Sequence, residues 1–493
     1  MIVAHEFQAR LSTLALAVAV LLCEFSIAVF AQETVPEAPG AAQAQLSAAG
    51  TKDENGPPTA DDPPTTMFPH AESGRYWISG QGNVVFQWHP AFPAKYSGRN
   101  SLSPQAQSST THVLTLYTAY RLTQTTEVIA DVEDSTGGGI GGAFGLAGFT
   151  DLDAVRTAQG IPLSKSPYLA RLMLRQIIPL SGNQITAERG PFGIISPVPE
   201  RRLEIRIGKF SLPDFFDLNS GASDSHLQFL NWTVDNNGAW DYAANTRGYT
   251  DGAIIEYDDA RWSVRFAEAL MPKTANGINL DADVARARSE NMEFEFRNFP
   301  ARLRPGRSGA VRLLSYINHG DMGSYREAIN AFLDGRDKTP DVTKHRRQGR
   351  IKYGFGANFE QELTSRARVF GRFGWNEGHN ESFAYTEVDQ AILLGADYKG
   401  ETWHRRYDRV GGAFSLNAIS GDHREYLALG GIGFLLGDGK LTYGRERIFE
   451  GYYTLHVWRG IFTSFDLQHI NNPGYNQDRG PVLVPTLRLH VDF

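Results

Sequence analysis

The final stretch of the chain, residues 482–493, alternates between apolar and polar side chains. Leu487, Leu489 and Phe493 share one parity, while Arg488 lies on the other. Successive side chains of a strand point to opposite faces, so this pattern predicts a strand with one apolar face and one polar face. Such a strand ending on an aromatic residue is typical of bacterial outer-membrane barrels. We therefore expect an all-β transmembrane barrel, with Phe493 as its assembly signal.

The first 31 residues have the features of a secretory signal. Arg10 precedes a mostly apolar run over residues 11–30, and the small residue Ala31 offers a cleavage site before Gln32. These features predict export and removal of residues 1–31. A single membrane-spanning helix is the alternative interpretation of the same run.

Composition narrows the class of protein further. Cys23 is the only cysteine and lies within the signal, which excludes disulfide scaffolds, zinc–cysteine sites and cysteine nucleophiles from the mature chain. Hydrophobic residues make up 41% of the chain, and no apolar stretch of about 18 residues follows the signal, so helical membrane proteins are excluded. The formal net charge of -7 excludes a broadly basic surface for nucleic acid.

The mature chain divides into a tail and one domain. Residues 32–66 are rich in Ala, Pro and small polar residues and predict a disordered periplasmic tail. Residues 67–493 consist of short alternating runs and predict one antiparallel barrel of about 16 strands, with about 18 as the alternative. Residues 430–436 are among the predicted strands, and residues 327–333 are a candidate loop helix.

Six stretches carry a resemblance to a known family. They are HPAFPAKYSGRNSLS from His89, GKFSLPDFFD from Gly208, FLNWTVDNNGAWDYAANTRGYT from Phe229, FGRFGWNEGHNESFAYTEVDQ from Phe370, GGIGFLLGDGKLTYGRE from Gly430 and NPGYNQDRGPV from Asn472. Together they resemble the carbohydrate-selective outer-membrane porin family of the OprB type. The resemblance spans about residues 76–493 and implies a barrel through which sugars diffuse past a constriction.

The segment 214–247 contains the groups that a sugar constriction needs. Hydroxyls require hydrogen-bonding partners, the apolar side of a sugar ring fits an aromatic face, and binding must stay weak to permit flow. The segment is too long for a hairpin turn, so part of it is expected to fold into the lumen. An extracellular loop that never touches solute is the alternative. The candidate pore-lining residues are Asp214, Asn231, Trp232, Asn237, Trp240, Asp241 and Arg247.

Strand parity places a set of arginines on the inner face of the predicted barrel. Any of them could line the constriction, and any could be a wall residue solvated by pore water. They are Arg206, Arg265, Arg297, Arg312, Arg368 and Arg372.

Enzyme sites are poorly supported. The run Gly137–Gly142 matches G-x-G-x-x-G, but the GGAFGLAGF sequence that overlaps its end is a poor helix for a phosphate cradle. Glu293 and Glu295 would lie on one strand face about 7 Å apart, as in an inverting glycosidase, yet a wet barrel wall has the same pattern. We expect no catalytic residues, no cofactor and no metal.

The sequence thus predicts a sugar-permeable porin in the outer membrane of a Gram-negative bacterium. Its expected partners are small sugars, outer-membrane lipid and lipopolysaccharide, and the barrel-assembly machinery, with no nucleic acid. Two alternatives remain open at this point. One is a general or anion-preferring porin for small solutes, and the other is a secreted β-rich enzyme acting on polysaccharide.

Overall fold

The computed structural model describes residues 65–70, 73–155, 167–297, 307–383 and 386–493. The predicted signal and nearly all of the predicted tail lie outside these residues. Among the described residues, no helix is long and apolar enough to cross a membrane. The described part of the chain forms a closed antiparallel barrel of sixteen strands, as the sequence predicted.

The barrel strands follow one another around the wall in chain order. Their bounds are β1 Tyr76–His89, β2 Gln107–Arg121, β3 Thr126–Thr136, β4 Tyr168–Pro179, β5 Arg202–Phe210, β6 Thr250–Asp258, β7 Trp262–Leu270, β8 Arg288–Arg297, β9 Gly309–Gly323, β10 Arg346–Glu362, β11 Ala367–Asn376, β12 Gln390–Lys399, β13 Arg409–Ala418, β14 Glu446–Trp458, β15 Ile461–Asn471 and β16 Val482–Asp492.

Short helices, turns and one small sheet lie in the connections between these strands. The α-helices are α1 Trp232–Asp235, α2 Tyr325–Leu333 and α3 Gly421–Ala428. The 3-10 turns are Ile140–Ala143, Leu212–Asp214, Val342–His345, Gly400–Trp403 and Pro473–Tyr475, and a small two-stranded sheet joins Gln184–Ile185 to Val198–Pro199.

Pairing between β1 and β16 closes the barrel. Gln81 lies opposite Asp492 and Gln87 lies opposite Thr486. Each barrel strand is therefore paired on both sides, which leaves no open sheet edge and satisfies backbone groups between strands.

The two ends of the barrel differ in the length of their connections. At one end the strands are joined by short turns such as 122–125, 259–261 and 459–460, whereas the other end carries long loops such as 211–249 and 419–445. In outer-membrane barrels the short turns are periplasmic and the long loops are extracellular. The long loops of this chain therefore belong to the extracellular side.

The two faces of each strand have opposite chemistry, as β16 illustrates. Leu487 and Leu489 are 56% and 48% exposed on the outer surface, whereas Arg488 and His490 are buried on the inner face. The predicted alternation of this strand is confirmed. The outer face meets lipid and the inner face is polar, as expected for a transmembrane barrel.

One predicted strand is wrong, and the predicted loop helix is confirmed. Residues 430–436 follow α3 without regular structure. The backbone N–H groups of Leu435 and Leu436 donate to the carboxylate of Glu387, each at 2.7 Å, so a side chain and not a neighbouring strand satisfies them. The helix predicted at residues 327–333 is the larger part of α2.

Candidate pore constriction

The connection between β5 and β6, residues 211–249, folds inside the barrel and is called here the long inward loop. Wall carboxylates accept hydrogen bonds from its backbone: Glu293 of β8 from Asp217 N at 2.7 Å, and Glu450 of β14 from Leu230 N at 2.6 Å. Arg488 of β16 donates to the carbonyl groups of residues 225 and 228, at 2.6 and 2.9 Å. The loop is thus anchored to well-separated parts of the barrel wall and crosses the lumen.

A second segment, residues 137–155, also folds inward and is called here the glycine-rich inward loop. Glu446 accepts from the backbone N–H groups of Ala147 and Gly148, at 3.1 and 2.8 Å. Phe149 stacks on Trp232 of the long inward loop with ring centroids 5.1 Å apart. The two inward loops therefore support each other within the lumen.

Sequence reasoning missed this second loop, although a signal was present. Its glycines were interpreted only as a candidate phosphate-binding loop. Glycine also permits close approach of another chain segment, and a Cβ added at Gly148 would lie 2.6 Å from the hydroxyl of Thr233 and 2.8 Å from the amide oxygen of Asn231. The small side chains of this segment match tight packing between two loops.

The six predicted arginines all lie on the inner side, and each forms an ion pair. Arg265 bridges Glu256 and Glu293 at 2.9 and 2.6 Å. Arg372 pairs with Asp217 of the long inward loop at 2.8 Å and donates to a loop carbonyl at 3.0 Å. The other pairs are Arg206 with Glu204 and Glu256, Arg297 with Asp258 and Glu295, Arg312 with Glu295 and Glu360, and Arg368 with Asp397.

These pairs give the arginines two different roles. Arg265 and Arg372 also donate to backbone carbonyls of the long inward loop, which fixes the position of that loop. The remaining four form a belt of alternating charge on the wall. Bidentate and bridging guanidinium–carboxylate contacts hold the planar groups in fixed orientations. The belt therefore presents neutralised pairs to the lumen.

Several predicted loop residues are buried in the packing between loop and wall. Trp240 is only 2% exposed, lies between the rings of Phe216 and Tyr242, and donates from Nε1 to Asn291 at 2.9 Å. Trp232 is 7% exposed. Neither indole face is open to a solute, so these tryptophans act on the pore by supporting the shape of the loop.

The polar residues predicted in the same region are also buried. Asn231 donates to Gly148 O and to Gln468, both at 2.9 Å, and caps α1. Asp241 accepts from Phe383 N at 3.0 Å and lies 3.5 Å from Lys352. Asn237 is buried against the wall at β10 and β11, an arrangement treated below.

Asp214 and Arg247, at the two ends of the long inward loop, are less buried and meet the wall formed by β3 and β4. The guanidinium of Arg247 lies 3.6 Å from the ring centroid of Tyr168. Asp214 accepts two hydrogen bonds from Arg171, at 2.7 and 2.8 Å. Tyr249 donates to Glu133 at 2.8 Å. This junction combines charged, hydroxyl and aromatic groups: Arg171 and Tyr249 are buried, whereas Asp214, Arg247, Tyr168 and Glu133 are partly exposed.

Sequence reasoning found Asp214 and Arg247 but not their wall partners. Glu133 and Arg171 lie in alternating runs of the sequence and Tyr168 begins β4, yet no local pattern marks these three residues as different from other inner-face residues. Their role depends on contact with a loop more than 40 positions along the chain, which alternation within one strand does not report.

Comparison with known proteins agrees with this architecture. A family model described as "Carbohydrate-selective porin, OprB family" matches residues 99–493. The chain belongs to this family. It is therefore a Gram-negative outer-membrane porin that admits carbohydrates by passive diffusion, and it is a channel and not an enzyme.

One solved structure shows the same fold, and others align more weakly. The high-pH structure of Pseudomonas putida OprB aligns with a TM-score of 0.60 at 15% identity, covering 85% of this chain and 94% of that one. The anion-selective porin from Comamonas acidovorans gives 0.45 at 10% identity, with 85% and 99% covered. The channel DcaP of Acinetobacter baumannii gives 0.44 at 9% identity, with 85% and 97% covered. A search of curated proteins finds no match.

Proposed function

We propose that sugars cross this porin at the junction between the long inward loop and the wall of β3 and β4, where Arg247 and Glu133 contact sugar hydroxyls. The observation that carries the proposal is the guanidinium of Arg247, held 3.6 Å above the ring of Tyr168. Arg247, Tyr168 and Glu133 are each partly exposed, unlike most inner-face residues.

The chemistry of the junction suits a weak sugar site. A guanidinium donates to two adjacent hydroxyls in a fixed fork, and the carboxylate of Glu133 accepts from hydroxyls, as it already does from Tyr249 at 2.8 Å. Aromatic rings offer apolar faces to the C–H side of a pyranose. Only a few such contacts are available, so binding stays weak enough for flow.

Sugar block of single-channel current tests this site. Loss of one contact in a weak site should weaken sugar binding by about 1 kcal/mol. The sugar concentration that halves the current should then rise roughly fivefold. Arg247→Ala and Glu133→Gln should each show this change. Arg261→Ala, an exposed arginine in a turn at the opposite end, is the matched control. An unchanged titration in both junction variants would contradict the proposal.

The alternative of an anion-preferring porin is less well supported. All six predicted lumen arginines have carboxylate partners, so none offers an uncompensated positive charge to a passing anion. We expect reversal potentials in a salt gradient to show no anion preference. A clear preference for anions would favour the alternative.

Lipopolysaccharide is proposed as a partner at the outer rim beside β14. Arg445 and Arg447 are exposed near the extracellular end of this strand, and Arg447 shares the outward parity of Phe449, which is 56% exposed. Within the described residues neither arginine forms an ion pair, whereas Arg286 and Arg347 elsewhere on the rim do. Cations above an apolar band suit the phosphates of an anionic glycolipid.

Copurification tests the lipid contact. Arg445→Ala combined with Arg447→Ala should lower the lipopolysaccharide retained per barrel, and Arg261→Ala should not. Equal retention in both variants would place the lipid contact elsewhere.

A further inference from the structure

Two glycines in the barrel wall receive one side chain of the long inward loop. Gly356 of β10 and Gly374 of β11 are direct register partners on the inner face. A Cβ added at Gly374 would overlap the amide oxygen of Asn237, and one added at Gly356 would overlap its amide nitrogen. Neither glycine has a positive φ, so lack of space, and not backbone conformation, excludes a larger residue.

Asn237 holds its own stretch of loop while it occupies this notch. Its backbone N–H donates to Asp217 at 2.9 Å, and its side-chain oxygen accepts from Ala239 N at 3.1 Å. Asp217 in turn pairs with Arg372 of the wall at 2.8 Å. A displacement of the Asn237 amide therefore moves the surrounding turn with it.

Hydrogen bonds on the far side of the turn hold the loop to β9, to β11 and to the connection between β11 and β12. Ala239 O accepts from Tyr316 at 3.0 Å and from Asn376 at 3.1 Å, and Gly238 O accepts from Thr386 at 2.7 Å. These bonds pull the loop toward β9 to β12. Because Gly356 and Gly374 have no side chains, the loop can approach the wall this closely.

We propose that the notch formed by Gly356 and Gly374 is a positioning site that sets how far the long inward loop projects into the lumen, and thereby the width of the sugar passage. The inference rests on the proposed function of this loop as one side of that passage. A methyl group in the notch pushes Asn237 toward the barrel axis and narrows the passage. A smaller side chain at position 237 lets the loop settle against the wall and widens it.

A double-mutant cycle in planar bilayers tests the notch. Gly374→Ala should lower the open-channel conductance, measured in potassium chloride, by roughly 1.5-fold. Asn237→Ala should raise the conductance, and Gly374→Ala added to Asn237→Ala should have a much smaller effect than in wild type, because the nearest remaining contact of the new methyl group is the Cβ of Ala239 at 3.0 Å. Gly412→Ala is the control: this glycine faces outward on β13, and an added Cβ would meet only Glu450 O, at 3.9 Å.

The cycle gives clear contrary outcomes. Equal effects of Gly374→Ala in both backgrounds, or none in either, would overturn the proposal. If Gly374→Ala does not yield a heat-modifiable barrel, Gly356→Ala replaces it. Asn237→Ala adds no atoms, so unchanged conductance in that variant alone also overturns the proposal. Sugar block of the Arg247→Ala channel tests the sugar site separately. If Gly374→Ala and Asn237→Ala are coupled but sugar block is unchanged in Arg247→Ala, the proposed function is contradicted and the role of the notch is not.

Discussion

The ring of Phe493 covers Gly80 of the first strand on the outer surface of the barrel. Phe493 N donates to Gly80 O at 2.8 Å, and a Cβ added at Gly80 would meet the edge of the ring at 2.5 Å. Gly80 thus leaves room for the aromatic side chain at the seam between β1 and β16. The contact joins the two strands whose pairing closes the barrel.

Deleting Phe493 should sharply lower the amount of assembled barrel while secretion continues, because closure and recognition of the last strand both use this region. Gly80→Leu should lower assembly in the same direction by excluding the ring. Heat-modifiable migration of outer-membrane fractions measures both. Equal amounts of detergent-resistant barrel in wild type and the Phe493 deletion would contradict the expected role.

The tail of residues 32–66 is predicted to contribute nothing to the pore, since its composition provides no packed core. Met67 N donates to Asp492 O at 2.8 Å, so the chain from this residue onward is bonded to the barrel. A signal fused directly to Met67 should give a barrel with normal insertion and conductance. Failed insertion, or a different conductance, would reveal a role for the tail.

Trp240→Ala should raise open-channel current and weaken sugar block, although the indole itself does not face a solute. The substitution removes a buried side chain, at a cost of about 3–5 kcal/mol, and loosens the turn next to Asn237. Single-channel recording measures both effects. Trp88→Ala, at a lipid-facing position that is 42% exposed, is the control. Unchanged current and sugar block in Trp240→Ala would show that the packing of this indole does not affect the pore.

A buried histidine connects three extracellular loops. His423 of α3 lies 3.1 Å from Asp389 and stacks on Tyr325 of α2, with ring centroids 4.3 Å apart. Glu387 lies 3.7 Å away on the other ring nitrogen. Burial alone would lower the pKa of His423, but the carboxylate of Asp389 outweighs burial and raises the pKa to about 9.

This pKa predicts the pH range over which the three loops loosen. A histidine whose pKa rises on folding stabilises the folded state fully below about pH 6.5, its unfolded value, and loses that contribution as the pH rises to the folded value. Protease cleavage of these loops on intact cells should therefore increase between pH 7 and pH 10. The loops of the His423→Gln variant should be cleaved faster than those of wild type at pH 7, and their cleavage rate should change less with pH. A pH-independent wild type would contradict the prediction.

Most of the fold could be predicted from the alternation of side chains along each strand. The outward set of Leu487 and Leu489 and the inward Arg488 follow from the two-residue period of a strand, and so does the inner-face location of arginines such as Arg312. The strand count was also within reach, because each hairpin in a barrel of this kind leaves a local alternating pattern. Parity does not report the carboxylate partner of each predicted arginine, which lies on a strand of the wall or, for Arg372, on the long inward loop.

The path of the loops was harder to predict for a physical reason. Trp240 and Arg247 belong to one polar, aromatic segment, yet one is buried and the other is partly exposed. The difference arises from wall residues far away in sequence, Asn291 for the indole and Tyr168 for the guanidinium. Local composition showed that the segment was suited to a constriction, but not which of its side chains would remain accessible.

The wall carboxylates Glu293, Glu446 and Glu450 hold the inward loops by their peptide N–H groups, which every residue except proline possesses. These hydrogen bonds place no demand on side-chain chemistry, although Gly148 and Asp217 are constrained by their own packing and ion pairing. A barrel of this design can change the solutes it admits by exchanging loop residues against a constant frame, both during evolution and in engineered sensors. Loop transplants between porins should succeed most often where the receiving wall keeps these three acids.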